Sequence, residues 1–123
     1  AFDVNEESDY LPHNVGETSV YYTGTHDNQT LKGFVKSRSS EEFEYIKNYV
    51  NSDYVEYAMI KVAYMTRADL CMCQMQDFLG LDDDYRTNTP NTLGNWTWRM
   101  KKDWLTDELA EKISEITKLY NRD

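Results

Sequence analysis

Thr18-Ser19-Val20-Tyr21-Tyr22-Thr23, running straight into Gly24-Thr25-His26-Asp27-Asn28, is the stretch from which the fold can be read. β-branched and aromatic side chains fit a pleated, covered surface, so 18–23 reads as a buried strand. It stops at a glycine that is followed by an imidazole, a carboxylate and an amide. A rigid strand that ends in such groups presents them on a loop, which is where α/β proteins place their sites.

Working outward, Ser39 and Glu42 have the spacing of a capping box, and Phe43, Ile46 and Val50 follow at helical intervals. These predict a helix over 40–49, interrupted at Asn51 and Ser52. A second helix is expected over 53–67, with Tyr57, Ile60, Val62 and Tyr64 on its apolar face beside the small Ala58 and Ala63. The apolar run 70–75 reads as a second buried strand, ending in Gln76 and Asp77. Region 80–90 reads as a loop whose acidic run, Asp82 to Asp84, is a solvated turn. Thr106 is an expected N-cap, with Asp107 and Glu108 at the positive end of the dipole and Leu109, Ile113, Ile116 and Tyr120 on one stripe. Upstream, 4–14 is polar and loop-like, and Ala1-Phe2-Asp3 reads as the tail of a strand begun earlier.

The order strand, helices, strand, loop, helix predicts an α/β fold with two parallel strands joined by a crossover. Parallel sheets are normally covered on both faces. Residues 1–123 therefore read as part of a single domain, incomplete as a stand-alone unit.

Composition narrows the partners. A chain of 123 residues permits one small domain, and 40% hydrophobic with 14% aromatic residues is too rich for a disordered acidic tail. A net charge of −9 argues against nucleic acid and against an anionic membrane surface. Cys71 and Cys73 have a poor disulfide spacing, and only His13 and His26 could join them around zinc. They read as two buried thiols in a reducing compartment. With no secretion signal or membrane-spanning run in view, a cytoplasmic location is the expectation, and the sequons at Asn28 and Asn95 are taken as chance.

His26, Asp27 and Asn28 together suit a polyhydroxylated ligand, because the carboxylate accepts from hydroxyls and the other two can donate. The plainer alternative is that Asp27 caps a helix and His26 is structural. Gln76 and Asp77, with Asn88 further on, form a second candidate. There the alternative is that Asp77 caps a helical turn over 78–81. Trp96 and Trp98 could stack on sugar faces, but core packing is expected of at least one.

Tyr10-Leu11-Pro12-His13-Asn14, Tyr22-Thr23-Gly24-Thr25-His26-Asp27-Asn28, Gln76-Asp77-Phe78-Leu79-Gly80-Leu81, Arg86-Thr87-Asn88-Thr89-Pro90 and Gly94-Asn95-Trp96-Thr97-Trp98-Arg99 occur in that order. The series resembles the amylomaltase (disproportionating enzyme) family of 4-alpha-glucanotransferases. The resemblance spans nearly the whole chain. It departs at Val15-Gly16, where the family often has an aromatic residue, at Thr87, where it usually has Met, and at Asn91, where it usually has Gly.

The resemblance implies a (β/α)8 barrel of which this segment is the last quarter, with active-site groups at the C-terminal ends of strands. It implies transfer of α-1,4-glucan segments between malto-oligosaccharides by a retaining double displacement. Asp27 matches the carboxylate that holds the 2- and 3-hydroxyls and stabilises the transition state. His26 matches a neighbouring donor, Asn88 matches an amide near the donor subsites, and Asn28, Gln76 and Asp77 complete the substrate-binding candidates, the last two in a supporting position. No cofactor or metal is called for. The nucleophile and the acid/base belong to upstream parts of the same polypeptide, so the chain alone is expected to be catalytically silent. Two other readings remain: a sugar-binding module without chemistry, and an interaction module whose exposed strand edges favour self-association.

Overall fold

The computed structural model describes residues 5–123. The strand tail expected at Ala1-Phe2-Asp3 lies outside the described residues. After a 3-10 turn at Pro12–Asn14, β1 (Val20–Tyr22) pairs in parallel with β2 (Leu70–Met72). Val20 lies opposite Leu70, Tyr21 opposite Cys71 and Tyr22 opposite Met72. The Thr23 N–H donates to the Met72 carbonyl at 3.1 Å and carries the ladder one step further.

The strands are shorter than expected and are not buried. Val20 and Tyr22 are each 44% exposed, Leu70 51% and Met72 47%. Strand alternation puts these four on one face and turns Tyr21, Cys71 and Cys73 the other way. Tyr21 is the better covered, and burial raises its phenol well above the usual range. Cys71 and Cys73 are free and only half-buried, with their sulfurs 4.0 Å apart.

The crossover contains three helices, one of which the sequence did not announce. α1 (Leu31–Lys36) has six residues, too few for a periodic pattern. α2 (Ser40–Val50) has the expected capping box, with Glu42 N–H donating to Ser39 Oγ at 3.2 Å and Ser39 N–H to Glu42 Oε2 at 2.9 Å. It ends at Asn51, which is in the left-handed conformation. α3 (Val55–Met65) buries Val55, Ala58, Met59, Ile60 and Ala63 and packs against α1, α2 and the later helices. Its buried stripe includes Met59, while Tyr57, Val62 and Tyr64 are half-buried at the rim.

The apolar run that predicted a strand to residue 75 is cut short, because Met75 opens α4 (Met75–Phe78). Gln76 and Asp77 therefore lie in a helical turn, not at a strand end. Region 80–90 contains a 3-10 turn at Asp83–Tyr85. α5 (Asp107–Leu119) starts as expected, with Leu109 N–H donating to Thr106 Oγ1 at 3.1 Å, and it buries Leu109 and Ile116. Beyond it, Arg122 donates through Nε to the Tyr64 carbonyl at 2.7 Å and through Nη1 to the Ala68 carbonyl at 2.9 Å. This ties the C-terminus to the link between α3 and β2. The core gathers Leu31, Val35, Ile46, Val55, Met59, Ile60 and Ile116 around α3. Among the described residues no helix is long and apolar enough to cross a membrane.

Candidate functional site

Three segments meet beyond the C-terminal ends of the two strands: 24–28 after β1, 74–77 after β2, and 85–88 after the second 3-10 turn. Gly24 lies close to the end of β2. A Cβ there would stand 2.8 Å from Gln74 Nε2, the far end of a flexible side chain, so a larger residue would displace that amide. Asn28 then folds the loop on itself, its Oδ1 accepting from the Thr25 N–H at 2.7 Å and from Thr25 Oγ1 at 3.0 Å.

The result places Asp27 between two partners. Its Oδ1 accepts from Asn88 Nδ2 at 2.6 Å, and its Oδ2 lies 3.4 Å from His26 Nε2. Both His26 and Asp27 remain exposed. The Asn88 N–H donates to the His26 carbonyl at 3.1 Å, so the two loops are joined through the main chain as well. His26 also lies against Trp96, with ring centroids 5.0 Å apart and planes tilted by 38°. Trp96 adopts φ 62°, the left-handed region that few large side chains occupy, and its N–H donates to the Thr87 carbonyl at 2.8 Å.

Gln76 and Asp77 do not face this opening. Each is 5% exposed. Gln76 Nε2 donates to Thr87 Oγ1 at 3.1 Å and to the Tyr85 carbonyl at 3.3 Å, which holds the 85–88 loop. Asp77 accepts from Thr23 Oγ1 at 2.7 Å and from the Leu31 N–H at 2.8 Å, which joins the end of β1 to the start of α1. Burial raises the Asp77 carboxyl above the usual carboxylate range, against those two hydrogen bonds.

Both capping alternatives therefore fail in their simple form. The N-cap of α1 is Thr30, not Asp27. Asp77 caps α1 from 46 residues away and leaves its own turn without a side-chain cap. The acidic run is also more than a solvated turn, since Asp83 accepts from the Thr30 N–H at 3.2 Å and from Gln29 Nε2 at 2.8 Å. Of the two tryptophans, Trp98 is half-buried and Trp96 is 57% exposed. The motif that contains Arg86 does not by itself assign it a role. It donates to the carbonyls of both Asp27 and Asn88.

A family model described as 4-alpha-glucanotransferase matches residues 1–106. The chain belongs to the 4-alpha-glucanotransferase family. The 4-alpha-glucanotransferase of Clostridium butyricum is 39% identical over 128 residues, covering 99% of this chain and 26% of that protein. The chloroplastic/amyloplastic 4-alpha-glucanotransferase of Solanum tuberosum is 36% identical over 130 residues, covering 99% of this chain and 22% of that one. Among solved structures, the amylomaltase from Streptococcus agalactiae in complex with acarbose superposes with a TM-score of 0.93 at 35% identity. That match covers 98% of this chain and 25% of the amylomaltase. The chain thus spans about a quarter of the length of the 4-alpha-glucanotransferases it matches. Its two parallel strands and their helices are a segment of the amylomaltase arrangement.

Proposed function

We propose that this chain is the last quarter of the (β/α)8 catalytic barrel of a 4-alpha-glucanotransferase, with its site residues at the C-terminal ends of strands. The whole enzyme moves α-1,4-glucan segments between malto-oligosaccharides by a retaining double displacement through a covalent glycosyl-enzyme. The observation that carries the reading is the Asp27 carboxylate, exposed just past a parallel strand and held at 2.6 Å by Asn88.

In this reading Asp27 accepts hydrogen bonds from two hydroxyls of the sugar undergoing reaction. The pyranose ring flattens as an oxocarbenium ion develops, and bonds that tighten in that geometry lower the barrier. His26, beside Asp27, donates to the same sugar, and Asn88 both steadies Asp27 and reaches toward the adjoining subsite. Asn28, Gln76 and Asp77 act one step back, by shaping the loops. The nucleophile and the acid/base come from upstream strands of the same polypeptide, which also cover the face carrying Val20, Tyr22, Leu70 and Met72. A cytoplasmic location agrees with the free thiols of Cys71 and Cys73.

The test is glucose release from maltotriose by the complete enzyme and by its Asp27→Asn variant. The reading expects unchanged folding and a rate lower by about a hundredfold or more, since the lost interaction is made in the transition state. Wild-type turnover in the variant would overturn it. The 123-residue chain on its own is expected to release no glucose.

A further inference from the structure

Arg86 is half-buried and lines the same cleft of about 860 Å³ as Asp27, Thr25 and Asn28. Among the described residues it enters none of the ion pairs, although the chain has 22 acidic residues. Its guanidinium is directed at two main-chain carbonyls instead. Nη2 donates to the Asp27 carbonyl at 2.6 Å and Nε to the Asn88 carbonyl at 2.9 Å. The first of these bonds crosses 59 residues of sequence.

The two carbonyls belong to the two residues whose side chains meet. Asn88 Nδ2 holds Asp27 Oδ1 through the side chains, and Arg86 grips the same pair through the backbone. Without the guanidinium, the loops would keep only the Asn88 N–H bond to His26 and the side-chain bond itself as direct links at this point. The carboxylate could then swing with its backbone. A planar fork with donors at fixed angles can span two carbonyls in a way that a single ammonium cannot.

We infer that Arg86 is the positioning residue that fixes Asp27 and Asn88 as one rigid unit toward the sugar. The inference rests on the proposed role of Asp27. Arg86 touches no reacting atom. It acts through the placement of the carboxylate, so its removal lowers turnover more than substrate binding, which is distributed over several sugar residues.

The experiment uses the complete glucanotransferase, with kcat and KM measured for maltotriose in Arg86→Ala, Arg86→Lys, Asp27→Ala and the Arg86→Ala/Asp27→Ala double variant. Arg86→Ala is expected to lower kcat about a hundredfold, the cost of misplacement by about 1 Å, with KM moved by less than about threefold. Millimolar guanidinium should restore part of that rate. Arg86→Lys should stay within about threefold of Arg86→Ala, because it lacks the fork. In the Asp27→Ala background the second substitution should add less than about twofold, since effects routed through one group do not add. If Arg86→Ala keeps kcat while Asp27→Ala abolishes it, the inference falls and the role of Asp27 stands. If Asp27→Ala is fully active, both fall. A purely structural Arg86 would give fewer folded molecules, unchanged turnover per folded molecule and no rescue by guanidinium, and that result would also overturn the inference.

Discussion

Asn88 Nδ2 donates to Asp27 Oδ1 at 2.6 Å across 61 residues of sequence, and this bond fixes the direction of the exposed Asp27 carboxylate beyond β1. A short bond to a charged acceptor contributes about 1.5–3 kcal/mol, which corresponds to a rate effect of about tenfold to a hundredfold if it is made in the transition state. Asn88→Ala in the complete enzyme is therefore expected to lower kcat/KM within that range. Asn88→Asp should do worse, because it sets two carboxylates against each other. Steady-state kinetics with maltotriose check both, and an Asn88→Asp variant as active as wild type would contradict the arrangement.

Asp77 makes a pH-dependent contribution with a definite sign. Burial raises its carboxyl above the ordinary 3.8. The folded state therefore binds the proton more tightly than the unfolded state, and stability falls as pH rises from about 3.8 through the raised folded value. Above that value the contribution is constant. Asp77→Asn keeps an acceptor for the Leu31 N–H, so the thermal midpoint of the variant should lose this part of the pH dependence. Asp77→Ala leaves the Leu31 N–H without its partner and removes the Thr23 hydroxyl's bond to the carboxylate, at a cost of about 1–3 kcal/mol.

Gly33 and Asp83 are coupled by space. A Cβ on Gly33 would lie 2.1 Å from Asp83 Oδ1. Gly33→Ala must push that carboxylate away from Thr30 and Gln29, and it is expected to destabilise the chain by about 1–2 kcal/mol, the scale of a lost helix cap. In an Asp83→Ala background the same change meets no carboxylate and should stabilise by up to about 1 kcal/mol, because alanine is the better helix residue. Urea unfolding of the four proteins measures the cycle. Equal effects in both backgrounds would rule out the clash.

The sheet face bearing Val20, Tyr22, Leu70 and Met72 is about half exposed, and both strands have a free edge among the described residues. The chain by itself is expected to associate, and Tyr22→Lys with Met72→Lys should shift it toward the monomer, since charge on an exposed strand disfavours pairing. Light scattering over a concentration series decides this. A monomeric wild-type chain would show that the face is tolerated in water.

Much of the local structure was legible because its causes lie within a few residues. Ser39 with Glu42, and Thr106 with Leu109, are caps that close over three positions, and α2 and α5 start where those residues predict. The parallel pairing of β1 with β2 follows from the order of elements. Legibility failed wherever the partner was distant. α1 is too short to show a period, and although Thr30 caps the Gly33 N–H locally, the Leu31 and Thr30 N–H groups are satisfied by Asp77 and Asp83 from beyond the crossover. The apolar run at β2 looked longer than it is, because the composition of 70–75 does not show the helical turn that begins at Met75.

The sequence by itself determined the class of the fold, the capped starts of α2 and α5 and the ordered motifs that led to the glucanotransferase family. It also singled out His26, Asp27 and Asn88, without showing that they touch. Only the tertiary structure decided which polar groups are open and which are enclosed. It left Asp27 exposed against Asn88, buried Gln76 and Asp77 among internal partners, placed Trp96 against His26, and gave Arg86 two carbonyls to hold. The physical reason is that capping and periodicity act over one or two helical turns, whereas burial and hydrogen-bond pairing depend on what the folded chain brings alongside, here across some sixty residues.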